Sequence, residues 1–258
     1  MTRFEKRFRT KPVLIGMIHL PPLPGFDGCP GIDALIAHAL RDLETLEACG
    51  FDAVLVENEY DRPHTVKASP EVLEAMTEIT AAVVAVTRTA LVGCEILLND
   101  PQGSLRAAHA AGADFIRTDY FVDRMTRPEY GEFDVDPDGL IAFRRELGAD
   151  DVMILADIQV KYATMIEPRS LSESAALARS KHADAVVVTG DQTGMPPSAS
   201  RLDEAMQGIP VLIGSGLDAD NASALLPHCA GAIVGTALMK DGVVDRQLAQ
   251  ELKTAAGS

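Results

Sequence analysis

No apolar run in this chain approaches the roughly 20 residues that a membrane-spanning helix needs. The basic opening stretch, Met1-Thr2-Arg3-Phe4-Glu5-Lys6-Arg7-Phe8-Arg9, leads into no long apolar segment before Pro12. A protein with no transmembrane segment, located in the cytoplasm, is therefore expected. Cysteine is scarce: Cys29, Cys49, Cys94 and Cys229 stand far apart and form no C-x-x-C pair. That spacing indicates neither a zinc site nor a disulfide framework and predicts free thiols in a reducing compartment. Basic charge is also short, with 23 Lys and Arg against 38 Asp and Glu and a net charge of −15. Neither nucleic acid nor an anionic membrane surface is then an expected partner. Any phosphate ligand must be gripped by a local pocket of backbone amides and a few basic groups. Linkers and composition shifts are missing too, which leaves residues 11–258 as one domain behind an N-terminal extension of residues 1–10.

What the chain has in quantity is short apolar runs. Val13–Ile18, Phe51–Val56, Leu91–Leu97, Asp114–Arg117, Val152–Asp157, Ala185–Gly190, Pro210–Gly216 and Ala232–Thr236 read as eight buried strands. Helical segments alternate with them: one capped by Asp33 and running to Cys49, one opened by Ser69-Pro70-Glu71, then Ser104–Ala111, Pro137–Leu147, a helix opened by Ser172-x-Ser174, and a last one over Val244–Ala255. Strands separated by helices pair in parallel, and eight in this length close into a single α/β domain of the (β/α)8 barrel type. An open doubly wound sheet is the weaker alternative. The longest connection without a clear period, Phe121–Asp136, reads as a loop that covers the substrate.

Two strand endings near the C-terminus, Gly214-Ser215-Gly216 and Gly235-Thr236, pair glycine with a hydroxyl residue. Glycine lets the main chain approach a ligand closely, and bare amides at a strand-to-helix turn attract anions. In eight-stranded barrels the loops after strands seven and eight characteristically hold a phosphate. Gly190, at the end of strand six, joins this expected phosphate-binding group.

Barrel active sites lie at the C-terminal strand ends. The polar residues there are His19, Glu57, Asn58, Asp61, Glu95, Asn99, Arg117, Asp119, Asp157, Lys161, Thr189, Asp191, Ser215 and Thr236. So many ionisable groups on one rim are hard to explain by folding alone, because burying charge costs several kcal/mol unless it is paired. His19, Glu57, Asp157 and Lys161 are the candidate acid/base groups; Asn58, Asn99, Arg117, Asp119 and Thr189 are the candidate substrate-binding groups. Asp61 reads as a loop residue, while Glu95, placed within its strand, either points into the barrel or pairs with Arg117. The carboxylates Glu57, Glu95, Asp119 and Asp157 are also of the kind that holds Mg²⁺ or Mn²⁺, although nothing in their spacing is diagnostic.

The stretches Gly16-Met17-Ile18-His19-Leu20-Pro21-Pro22-Leu23-Pro24-Gly25, Val56-Glu57-Asn58, Leu98-Asn99-Asp100, Phe115-Ile116-Arg117, Leu155-Ala156-Asp157, Val188-Thr189-Gly190, Gly214-Ser215-Gly216 and Ile233-Val234-Gly235-Thr236 closely resemble the BtpA/SgcQ family. The resemblance runs from about residue 11 to 245. It implies a phosphate-binding barrel of the ribulose-phosphate type. The family takes its name from a photosystem I biogenesis protein associated with thylakoid membranes, and other members resemble enzymes encoded among sugar-uptake functions. This chain departs from the family pattern at Glu59-Tyr60-Asp61-Arg62-Pro63-His64 and at Thr118-Asp119, both on the rim.

The leading expectation is thus an enzyme acting on a small phosphorylated metabolite, a sugar phosphate, by isomerase, epimerase or lyase chemistry. The rivals are a non-catalytic biogenesis or stability factor for a membrane complex, with residues 1–10 as its membrane contact, and cleavage or phosphorolysis of a nucleoside or other glycosyl compound. Association into a homo-oligomer through exposed helix faces is left open.

Overall fold

Eight parallel strands close into a barrel in the order β1-β8-β7-β6-β5-β4-β3-β2, where β1 is Val13–His19, β2 Ala53–Glu57, β3 Leu91–Glu95, β4 Phe115–Thr118, β5 Met153–Ile158, β6 Ala185–Val188, β7 Val211–Ile213 and β8 Gly231–Val234. The structure, a computed structural model, describes residues 2–8, 12–190 and 195–257. The strands are wholly apolar on the side that meets the helices because both faces of such a sheet are covered. Outward residues such as Leu14, Val54, Val92, Ile116 and Ile154 pack in the large core beneath the helices. No helix among the described residues is long and apolar enough to cross a membrane, and the four cysteines are free thiols.

The inner face follows from a period of two. Val13, Ile15 and Met17 of β1, Leu55 of β2, Phe115 of β4, Leu155 of β5, Val187 of β6, Leu212 of β7 and Ile233 of β8 fill the barrel interior as a second apolar cluster. Adding two residues to the last interior position of each strand gives His19, Glu57, Glu95, Arg117, Asp157, Thr189, Gly214 and Gly235. Those eight form the uppermost interior layer. On β3 the position below Glu95 is Gly93, where a Cβ would lie 2.2 Å from the Phe115 ring, so the phenyl group occupies the space that glycine leaves.

Strand starts are fastened by a recurring aspartate. Asp52, Asp114 and Asp184, each just before an even-numbered strand, accept the backbone N–H groups of Leu14, Val92 and Ile154 on the preceding odd-numbered strand. The N-terminal segment uses the same acids. Its helix, Arg3–Arg7, opens with a capping box between Thr2 and Glu5; Arg3 Nε donates to Asp184 Oδ1 at 2.8 Å, and Arg7 pairs with Asp114. Phe4 and Phe8 pack ring to ring, 4.6 Å between centroids, and join the interior cluster. Residues 2–8 are therefore a plug in the barrel floor, and the apolar side chains that a membrane contact would need are already buried.

Several local expectations shift by a turn. Gly31, not Asp33, is the N-cap of the first long helix, Ile32–Ala48, and no side chain caps it. Strand β3 stops at Glu95 and not Leu97, which puts Glu95 at the strand's lip. The third helix starts at Pro101, one turn before Ser104, because Asp100 accepts from the Gly103 N–H. Ser170, through a capping box with Glu173, opens the helix assigned to Ser172-x-Ser174. The Phe121–Asp136 connection holds a hairpin, Met125–Arg127 with Gly131–Glu132, which also pairs with Thr164–Met165 from the loop after β5. Its own apolar centre, Leu98, Tyr120, Met125 and Phe133, fixes it above the barrel.

Truncating the plug tests its weight. Phe4→Ala removes a fully buried ring and should lower unfolding stability by about 3–5 kcal/mol in chemical denaturation. An unchanged midpoint would show that the barrel floor does not need it.

Candidate active site

Interstrand register builds the site. It sets His19 opposite Glu57 and Glu57 opposite Glu95, so β1, β2 and β3 present three titratable groups in one row. Across from the row, Arg117 points inward from β4. Its Nε and Nη2 donate to the two oxygens of Asp157, both at 2.9 Å, while its Nη1 lies 3.5 Å from Glu95 and 4.0 Å from Glu57. A planar guanidinium with five donors suits such a ring of acceptors, and the bidentate pair fixes its plane.

More carboxylates than cations converge here, and the balance is kept by protons. Burial pushes Glu57 up to about 7, against the pull of its hydrogen bond with Glu95 and of Arg117. Burial also drives Glu95 well above the usual carboxylate range, with repulsion from Glu57 adding to it against the attraction of Arg117. The two side chains, paired across the register, both hold their protons more tightly than exposed carboxyls do. Asp119 is likewise raised by burial and by Glu95 and Asp157. Arg117 is held above its ordinary value by Asp157 and Glu95, although burial opposes this. His19 Nε2 stands 3.4 Å from Glu57 Oε1, yet burial lowers its pKa to about 4, so at neutral pH the contact joins a neutral imidazole to the carboxyl. Lys161 is lowered, first by burial and then by Arg117. Among the described residues no three His, Cys, Asp or Glu side chains are placed to hold a metal ion; the acids turn to Arg117.

Above this layer opens a cavity of about 580 Å³, lined by His19, Glu57, Arg117, Asp119, Asp157, Lys161, Thr189, Gly214, Ser215, Gly216, Gly235 and Thr236 among others. The glycines shape it. A Cβ on Gly235 would sit 2.8 Å from the His19 ring, and one on Gly214 would strike Val187 and Thr189, 2.5 and 2.9 Å away. Gly216 has φ +78°, a conformation that side chains disfavour. The hydroxyls of Thr189 and Ser215 are buried and have no hydrogen-bond partner among the described residues.

Most of the residues expected at the site thus meet at one cavity; Asn58, Asp61, Asn99 and Gly190 do not. Asn58 is folded into the loop after β2, donating to Asp61 Oδ2 at 2.9 Å and accepting from the Leu97 N–H. Asp61 receives the Leu23 N–H, as befits a loop residue. Asn99 donates to the Asp134 carbonyl, and Gly190 packs against the Met195 backbone, off the cavity wall. Asp191 lies outside the described residues. Sequence reasoning missed Arg62, His64, Arg127 and Tyr130, which line the cavity from the loops after β2 and β4. The only signal for them is the unusual Arg62-Pro63-His64 step; Arg127 and Tyr130 come into place through the hairpin alone.

A closed parallel barrel with charge buried at the C-terminal strand ends and glycine loops after β7 and β8 places the protein among the (β/α)8 barrels. Solved structures show the same fold: N-(5'-phosphoribosyl)anthranilate isomerase from Pyrococcus furiosus, TM-score 0.59 and 17% identity over 95% of this chain and 98% of that one, and tryptophan synthase from M. tuberculosis, 0.62 and 18% over 95% and 92%. Within that class the chain belongs to the BtpA family, whose model matches residues 9–256. Relatives include the Photosystem I biogenesis protein BtpA of Synechocystis sp., 34% identical over 93% of this chain and 85% of its own length. An uncharacterized protein of Archaeoglobus fulgidus is 34% identical over 94% and 98%.

Two outcomes follow from the charge arrangement. Arg117→Met strands the carboxylates that it now holds and should cost about 3–5 kcal/mol of stability; a loss below about 1 kcal/mol in urea unfolding would show that they are held otherwise. Glu57 keeps its proton in the folded state up to about 7 but loses it near 4.5 when unfolded. Stability contributed by this residue therefore falls as pH rises from about 4.5 to 7, by on the order of 3 kcal/mol. Glu57→Gln should flatten that decline in a pH series of melting curves; an unaltered slope would refute the raised value.

Proposed function

We propose that this barrel is an enzyme acting on a small phosphorylated metabolite, a sugar phosphate, through proton transfer by the Glu57–Glu95 pair. The observation that carries the reading is a buried carboxyl, Glu57, backed by Glu95 and lining a cavity whose opposite wall is glycine backbone with two hydroxyls, Thr189 and Ser215, that have no hydrogen-bond partner among the described residues. A base titrating near neutral pH is well matched to abstracting a proton next to a carbonyl. Arg117, neutral His19 and Lys161 would polarise the oxygen on which charge develops. Asp157 spends both its oxygens on Arg117, so its part is to hold the guanidinium. Such chemistry serves isomerases, epimerases and lyases alike. The phosphate, gripped by the loops after β7 and β8, would supply remote binding energy that aligns the reacting carbon. Two barrels of the same fold are named for phosphorylated compounds, the phosphoribosylanthranilate isomerase and the thiamine phosphate pyrophosphorylase of Pyrococcus furiosus.

The name of the Synechocystis relative favours a second reading, a non-catalytic biogenesis factor. The two part at Glu57: an assembly factor has no use for a titrating carboxyl inside its barrel.

Thermal-shift measurements against inorganic phosphate and sugar phosphates test the leading reading. Ligand at about 100 times its Kd adds about 2.7 kcal/mol to the folded state, and Ser215→Ala with Thr189→Val should remove most of that response. Glu57→Gln should then abolish turnover of the best-binding compound while leaving its binding. A protein indifferent to every phosphate compound would leave the biogenesis reading ahead.

A further inference from the structure

The cavity has a second end. Across the barrel mouth from the glycine loops, the loop after β2 contributes Arg62 and His64, and the hairpin after β4 contributes Arg127. All three line the same cavity as Ser215 and Thr236. In the barrel order β4 lies opposite β8, so the Arg127 hairpin stands across the mouth from the last glycine loop, and Arg62 and His64 reach the same cavity from the loop after β2.

His64 shows what this end lacks. Its Nε2 contacts the Arg62 guanidinium, which can only donate, so Nε2 accepts and Nδ1 carries the ring proton. The residue is 8% exposed, and Nδ1 is buried with no hydrogen-bond partner among the described residues. Arg127 Nε is also buried without a hydrogen bond among them, and meets Glu129 only as an ion pair at 3.9 Å. The guanidinium instead rests over the Tyr130 ring, 5.3 Å from its centroid. Glu59 and His64 Nε2 answer the two terminal nitrogens of Arg62, whose side chain is 57% exposed at the rim. Buried donors without acceptors are costly in a folded protein; here two, His64 Nδ1 and Arg127 Nε, line one end of an open cavity together with the exposed cation of Arg62. Burial and the two arginines also hold the imidazole neutral, with its pKa lowered to about 4, so it is a fixed donor and does not compete for charge.

We infer that the substrate carries a second anionic group, a carboxylate or a second phosphate, which Arg62, His64 Nδ1 and Arg127 bind at the end of the cavity opposite the phosphate loops. This rests on the phosphate reading of the site and narrows it to doubly anionic compounds. The span between the two ends sets the substrate's length, and the carbon between the anions comes to rest over Glu57 and Glu95.

The test compares pairs of four- to six-carbon compounds that differ by one anion: sugar phosphates against the corresponding phosphorylated sugar acids, and against sugar bisphosphates. Dissociation constants are measured by calorimetry with inorganic phosphate as the reference probe. The doubly anionic members should bind at least about tenfold tighter, as expected for a charge-assisted, bidentate contact. The carboxylate and bisphosphate arms identify which anion is preferred. In Arg127→Gln and Arg62→Gln that gain should shrink below about twofold, with inorganic phosphate binding unchanged; both side chains stand on rim loops, and melting curves without ligand verify their folding. Equal affinity within every pair, or a gain that survives both substitutions, overturns the inference while phosphate binding stands. No binding of phosphate or of any pair overturns both readings together.

Discussion

Arg117 is the group on which the rest of the interior depends. Its side chain is 11% exposed and faces three carboxylates: Asp157, bound through both oxygens, Glu95 and Glu57. Without a cation there, the upper barrel would hold Glu57, Glu95, Asp119 and Asp157 around an empty centre, and their mutual repulsion would act in a medium that screens poorly. With it, two acids are held as acceptors and the surplus is absorbed as bound protons. The raised affinity of Glu57 and Glu95 for protons comes first from their burial, and the other acids gathered around the one arginine add to it.

The remainder of the fold arranges access to that centre. Phe4 and Phe8 seal one end of the barrel, and the glycines Gly214 and Gly235 leave the other end open on one side. A hairpin with its own apolar centre stands over the opposite side. The chain's net charge of −15 makes local donors necessary for any anionic ligand, and the loops supply them in two separate groups.

The barrel was legible because each strand is short, apolar and followed by a helix, and because glycine and hydroxyl residues recur after β7 and β8. The rim residues His19, Glu57, Arg117 and Asp157 were legible for the same reason, since each follows an apolar run. What sequence could not reveal was pairing. Asp157 as a partner of Arg117 depends on the register between β4 and β5, and Glu57 as the partner of Glu95 on that between β2 and β3. Asn58 and Asn99 read as binding groups but satisfy loop backbone, because strand ends also have turns to close. Arg127 and the N-terminal plug escaped for a further reason: their surroundings are assembled from segments more than a hundred residues apart or from a hairpin with no periodic signal. Phe4 in a basic stretch looks like an extension until Asp184 and Asp114 are placed beside Arg3 and Arg7.

The alternation along the strands has a consequence for how such a protein can change. His19, Glu57, Glu95, Arg117 and Asp157 belong to the sheet itself, and their positions follow from the backbone that also forms the core. Arg62, His64 and Arg127 belong to loops that the barrel tolerates in many forms. The charged floor is inherited with the scaffold, whereas the rim is written in parts that can be exchanged. Descendants of one such chain could diverge at the mouth, each new rim inserted into an unaltered floor.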